Sequence, residues 1–149
     1  MSITLTQICQ AVETTLGAAT GISYSQTFSE LKEGIIDVPL LQVYPESIRQ
    51  DAGTQTDRTT FGAGVRQTEV IVHADLYARQ RKHLGEDMAA LVPLIDATQN
   101  KLEEQRRQPY FGLDGIKAFS WSAQRVIFNY GDPQVGYVGT RFILVLRVF

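Results

Sequence analysis

The sequence predicts an α+β domain: a mostly antiparallel sheet of about four main strands, with an N-terminal helix and one long central helix packed on it. Three observations carry this. Residues 68–79 alternate, placing Val70, Val72, Ala74 and Leu76 on one face and Glu69, His73 and Asp75 on the other, the period-two pattern of a strand. The following segment spaces Leu84, Met88, Leu91, Ile95 and Leu102 so that they line one face of a helix. Residues 137–149 alternate again. A one-sided strand running into a one-sided helix buries both apolar faces when the helix lies on the sheet.

Composition bounds the possibilities. At 149 residues the chain makes one domain, large enough to bury roughly 68–70% of its unfolded surface without staples. A net charge of −2 argues against a protein that coats nucleic acid by bulk charge. Cys9 is the sole cysteine, so no internal disulfide and no thiolate metal cluster can form. The first 16 residues lack the basic start and apolar run of a signal peptide, and no stretch has the roughly 18 apolar residues of a membrane span. Synthesis and folding are therefore expected in the cytosol.

In chain order, Leu5, Ile8, Cys9, Val12 and Leu16 make a helical stripe. Thr4 and Gln7 suit a capping box, and Gly17 suits the left-handed position just past the helix end. Cys9 lies on the stripe and reads as a core thiol, since no basic residue is near in sequence to activate it. Residues 22–28 alternate weakly, as a minor strand would, and 29–34 have room for one helical turn. Residues 38–44 are a nearly continuous apolar strand between Pro39 and Pro45, which favours an edge or a strand end. Residues 49–67 form an extended polar arm without periodicity, with Phe61 as its one aromatic. Connections of this length are usually functional or disordered.

Arg79 to His83 is a basic turn, ordinarily a solvated one. Pro93 falls inside the helical pattern and predicts a kink or a split there. Residues 112–115 are a turn. In 116–129, Ala118, Ser120, Ser122 and Gln124 share one face and Lys117, Phe119, Trp121, Ala123 and Arg125 the other, until Val126 to Phe128 become wholly apolar. That predicts a bulge or face switch near Ala123. A turn at 129–133 leads to the closing strand. There Phe142, Leu144, Leu146 and Val148 form one face, and Arg141, Ile143, Val145, Arg147 and Phe149 the other. An antiparallel sheet needs only one buried face, so the second must be covered by the N-terminal helix or by another subunit.

Chemistry is sparse. His73, Asp75 and His83 fall short of a zinc set, since a turn separates the histidines and a third fixed ligand is missing. There is no Gly-x-Ser-x-Gly elbow, and Gly62-Ala-Gly64 lacks the lysine and helix of a phosphate loop. Glu103, Glu104, Arg106 and Arg107 read as a solvated helix end. No base–nucleophile pair, metal site or cofactor site emerges.

The layout as a whole resembles the tail-terminator, or tail-completion, proteins of long-tailed bacteriophages. The likeness lies in the N-terminal helix, the Val-Pro-Leu-Leu-Gln-Val-Tyr-Pro strand at 38–45, the polar arm at 49–67, the strand and helix of 68–105, and the closing hairpin. Pro93 departs from that pattern. The resemblance implies a non-enzymatic virion subunit of a homo-hexameric ring on the last turn of the tail tube. Such a ring stops tube growth, contacts the tail-tube protein on one side and the head–tail connector proteins on the other, and lets DNA pass through its lumen without specific binding. The implied location is the virion tail, after assembly in the host cytoplasm. Interface residues on this reading are Arg49, Arg58, Phe61 and Arg66 of the arm, and Arg141, Ile143, Val145 and Arg147 of the closing strand. Three rivals stand beside it: a neck or head-completion protein of the same virus, a small nucleic-acid-binding module using Arg79 to His83 and Arg106-Arg107, and a small enzyme, which would need a cleft with convergent titratable groups.

Overall fold

A computed structural model describes residues 3–28, 38–50, 68–130 and 134–148. The fold is α+β. In chain order its elements are α1 (Leu5–Gly17), β1 (Tyr24–Thr27), β2 (Leu40–Gln50), β3 (Thr68–Gln80), α2 (Leu84–Glu103), a 3-10 turn (Tyr110–Gly112), β4 (Ile116–Tyr130) and β5 (Val135–Val148). The sheet has five strands in the order β1-β2-β3-β5-β4. β1 joins β2 in parallel and every other pair is antiparallel. The expected four main strands are thus joined by the weakly alternating minor one, which forms an edge. The helical turn expected at 29–34 lies outside the described residues, as do 51–67 of the arm and 131–133 of the last hairpin.

Both helices pack on one face. Ile8, Cys9, Val12 and Leu16 of α1, with Leu91, Leu94 and Leu102 of α2, share one core with Val70, Val72, Ala74 and Leu76 of β3 and Phe142, Leu144, Leu146 and Val148 of β5. Thr4 and Gln7 cap α1 reciprocally, at 2.9 and 3.1 Å. Gly17 is not the expected left-handed residue; it is the last residue of α1, and Ala18 follows with φ −79°. Its lack of a side chain serves packing instead: a Cβ there would lie 2.8 Å from Ser25 Cβ. The left-handed glycine is Gly21, at φ 96°.

Three further expectations are corrected. α2 runs as one helix through Pro93, so of the expected kink or split the split does not occur. Pro93 and Ala89, whose carbonyl it deprives of a partner, are both exposed residues, a position where water can serve that carbonyl. The buried stripe of α2 also begins differently, since Leu84 is 70% exposed while Asp87 is buried. The Asp87 carboxylate accepts from the Lys82 N–H at 3.1 and 3.2 Å and lies 3.6 Å from Arg79 Nε, so the basic turn is partly neutralised from within. Finally, β4 has no irregularity near Ala123. Its register shifts between Ile116 and Ala118. Val126 and Phe128 stay on the second face and join Leu40 and Tyr77 in a small separate apolar cluster.

β2 does not end at Pro45 but continues to Gln50, with a register shift against β3 between Pro45 and Ser47. β1 flanks it only from Leu40 to Val43. Pro45 therefore sits on a bulged stretch where β2 has become the outer strand, which reconciles the proline with a longer strand.

Cys9 is fully buried, and burial pushes its thiol up to about 11. A group whose folded pKa is raised contributes stability that is intact below its unfolded pKa and lost as pH rises through the folded one. The urea midpoint is therefore expected to fall between about pH 9 and 11. Cys9→Ala should flatten that loss between pH 9 and 10. An unchanged slope in the variant would assign it to another group.

Candidate functional site: the second face of the sheet

Among the described residues no helix lies on the face opposite the core. The registers place its side chains in rows that cross the strands. Gln26, Gln42, Asp75, Arg141 and Gln124 form one row through all five strands. Tyr44, His73, Ile143 and Ser122 form the next, followed by Ser47, Ile71, Val145 and Ser120, and then by Arg49, Glu69, Arg147 and Ala118. On the other side of the polar row lie Leu40 and Tyr77, with Phe128 packed over Gly139. The Tyr77 and Phe128 ring centroids are 4.3 Å apart. A Cβ on Gly139 would come within 2.6 Å of Phe128 Cε2 and closer still to the Leu76 carbonyl oxygen, so a glycine is required beneath that ring.

The polar row is held by one acid. Asp75 is 3% exposed. Arg141 donates to it through Nε at 2.9 Å and Nη2 at 3.3 Å, a bidentate pair. The Tyr44 hydroxyl donates to Asp75 Oδ2 at 2.7 Å. Burial first, then that bond to Asp75, pushes the Tyr44 phenol well above its ordinary value. The hydrogen bond to Asp75 likewise raises Arg141. His73 Nδ1 lies 3.4 Å from the Tyr44 hydroxyl and 3.7 Å from Glu46 Oε2. Tyr77 donates to Gln42 Oε1 at 3.3 Å, and the Arg141 guanidinium stands 5.8 Å from the Phe128 ring centroid. The arrangement fixes charges and rings in place on a sheet surface.

Of the interface residues expected from sequence, Arg141, Ile143, Val145 and Arg147 share this face. The acid that meets Arg141 is in its own chain. Ile143 and Val145 are half-buried, and Arg147 is exposed. Arg147 borders a shallow hollow of about 270 Å³ with Ala118, Phe119, Ser120 and Val145. Arg49 belongs to β2 rather than to an arm, and its guanidinium lies 3.5 Å from Glu69. Arg58, Phe61 and Arg66 lie outside the described residues. Sequence reading did not find Tyr44, Gln42 or Glu46. Asp75 lies between Ala74 and Leu76, and Arg141 directly precedes the apolar run Phe142 to Leu146; a charged residue set against an apolar strand was the available signal.

Among the described residues no three His, Cys, Asp or Glu side chains gather to hold a metal, and no helix is long and apolar enough to cross a membrane. No protein-family model matches the chain, and no curated protein matches its sequence.

Proposed function

We propose that this chain is a non-enzymatic structural subunit that forms rings, and specifically the tail terminator of a long-tailed bacteriophage. The observation that supports it is the second face of the sheet. Both helices lie on the core side, so the N-terminal helix does not cover this face, which supports another subunit as its cover. The face is not a plain solvated one: Ile71, Ile143 and Val145 form a half-buried apolar strip between the Asp75–Arg141 pair and the charged row of Arg49, Glu69 and Arg147. Apolar strip and polar border together are the anatomy of a protein interface. In a ring, each copy presents this face to a different surface of its neighbour, and rotation closes the set. The particular role rests on the layout shared with tail terminators. On that reading, one rim of a hexamer meets the tail-tube protein, the other the head–tail connector proteins, and DNA runs through the lumen past a chain of net charge −2.

The test is mass in solution and on tails. Light scattering and electron microscopy at high concentration, with and without phage tails, should give a species six times the 16.6 kDa chain. Ile143→Arg places a charge in the half-buried strip and should leave a folded monomer that caps no tails. A chain that is monomeric in every condition, tails included, would sink the ring.

A further inference from the structure

A ring closed by rotation joins two different patches of each chain, and the second face supplies only one of them. Among the described residues, the large apolar side chains left exposed are Phe28, Ile48, Leu84, Val92 and Ile127. Phe28 follows β1 and Ile48 belongs to β2, on the far side of the sheet. The other three gather where α2 passes β4. Leu84, Met88 and Val92 follow one another at steps of four along one flank of the helix. The contact of Arg125 Nη1 with Met88 Sδ, at 3.4 Å, turns that flank toward β4. Ala123, Arg125 and Ile127 of β4 pair with Phe142, Thr140 and Val138 of β5, so they stand on the core side of the sheet. All three are nonetheless exposed, because α2 packs over β3 and β5 instead. The result is a groove walled by α2 and floored by the later part of β4. Leu84 is 70%, Val92 44% and Ile127 43% exposed in it.

The strip of Ile71, Ile143 and Val145 lies on the opposite face of the same sheet. A single neighbour cannot cover two patches that point apart, so a twofold pair would leave one of them bare. A head-to-tail repeat covers both. Charge agrees with this. Arg125 and Arg81 border the groove: a Cβ on Gly136 would meet Ile127 Cγ2 at 3.7 Å and Arg81 Cβ at 3.8 Å, which sets Arg81 beside Ile127. Neither guanidinium meets an acid among the described residues. Beside the strip, the half-exposed Glu46 carboxylate has only His73 near it, at 3.7 Å. We infer that the α2–β4 groove receives the second face of the neighbouring copy. The apolar strip lies against Leu84, Val92 and Ile127, and Glu46 meets Arg125. This rests on the ring reading and names the surface that reading leaves open.

The test mixes full-length variants under the conditions where the unaltered chain assembles, at high concentration or on phage tails. I143R spoils the strip and keeps the groove. L84E/I127E spoils the groove, at exposed positions, and keeps the strip. Native mass spectrometry should give a monomer for each alone and a one-to-one dimer for the equimolar mixture, because one sound interface remains. E46R and R125E should each raise the concentration for half-assembly at least about tenfold, a factor equivalent to about 1.4 kcal/mol. Mixing the two should restore assembly, since every strip then finds the opposite charge in its neighbour's groove. On tails, electron microscopy should show capping lost with each charge variant and regained with the mixture. Should L84E/I127E fail to fold, the charge-swapped pair decides alone. Folded L84E/I127E that assembles as tightly as the unaltered chain overturns the groove and leaves the ring standing. So does a mixture of E46R and R125E that assembles no better than either variant alone. An unaltered chain that is monomeric in every condition overturns the ring, and the groove with it.

Discussion

Removing residues 144–149 leaves a chain that does not fold. β5 lies between β3 and β4, so the deletion strips much of the inner ladder from β3 and from β4, which pairs with no other described strand. Leu144, Leu146 and Val148 are fully buried, and each is worth about 1.5–3 kcal/mol on burial. Their sum rivals the whole stability of a domain, about 5–15 kcal/mol, before the lost backbone bonds are counted. Circular dichroism should show no cooperative transition. A soluble truncation with an unchanged melting curve would place β5 outside the core.

The second large effect is at the acid that organises the second face. Asp75→Ala leaves Arg141 without its bidentate partner and Tyr44 without its acceptor. Breaking a buried pair from one side is expected to cost about 3 kcal/mol, the low end of the range, because the Arg141 side chain is 28% exposed and reaches water. The double variant D75L/R141L should recover most of that loss, since no charge is then stranded. Urea denaturation of both single variants and the double gives the coupling directly. Single variants that each lose under about 0.5 kcal/mol would show that the pair behaves as an ordinary surface salt bridge.

Much of this fold was legible where one periodicity dominated. The faces of β3 and β5 and the Thr4–Gln7 cap follow from side-chain alternation and local hydrogen-bonding chemistry, which operate within a few residues. Other features depend on where an element ends up. Leu84 continues the apolar spacing of α2, yet Asp87 takes the buried position because the turn before it supplies an N–H and Arg79. Pro45 marks a strand end only if the neighbouring strand runs its full length; β1 stops at Thr27, and β2 goes on alone. The apolar run of Val126 to Phe128 suggested a face switch, but the second face has an aromatic cluster of its own to receive it. The Asp75–Arg141 pair requires the β3–β5 register, which alternation within either strand leaves free. That both helices share one face was likewise undetermined by their separate stripes. It is the fact on which the candidate site depends.

The position of β5 also bears on how the chain reaches this state. Asp75 and Arg141 are neighbours in the sheet but 66 residues apart in sequence. Contacts of such separation close large loops before any reward arrives, and slow folding goes with them. During synthesis at about 5–20 residues per second, β3 waits on the order of 3–14 s for the strand that will pair with it to be made. Throughout that interval Val70, Val72 and Leu76 have no inner partner strand. The nascent chain is then a natural client for a ribosome-associated chaperone, and its yield should respond to translation speed more than that of a protein whose central strands are adjacent in sequence.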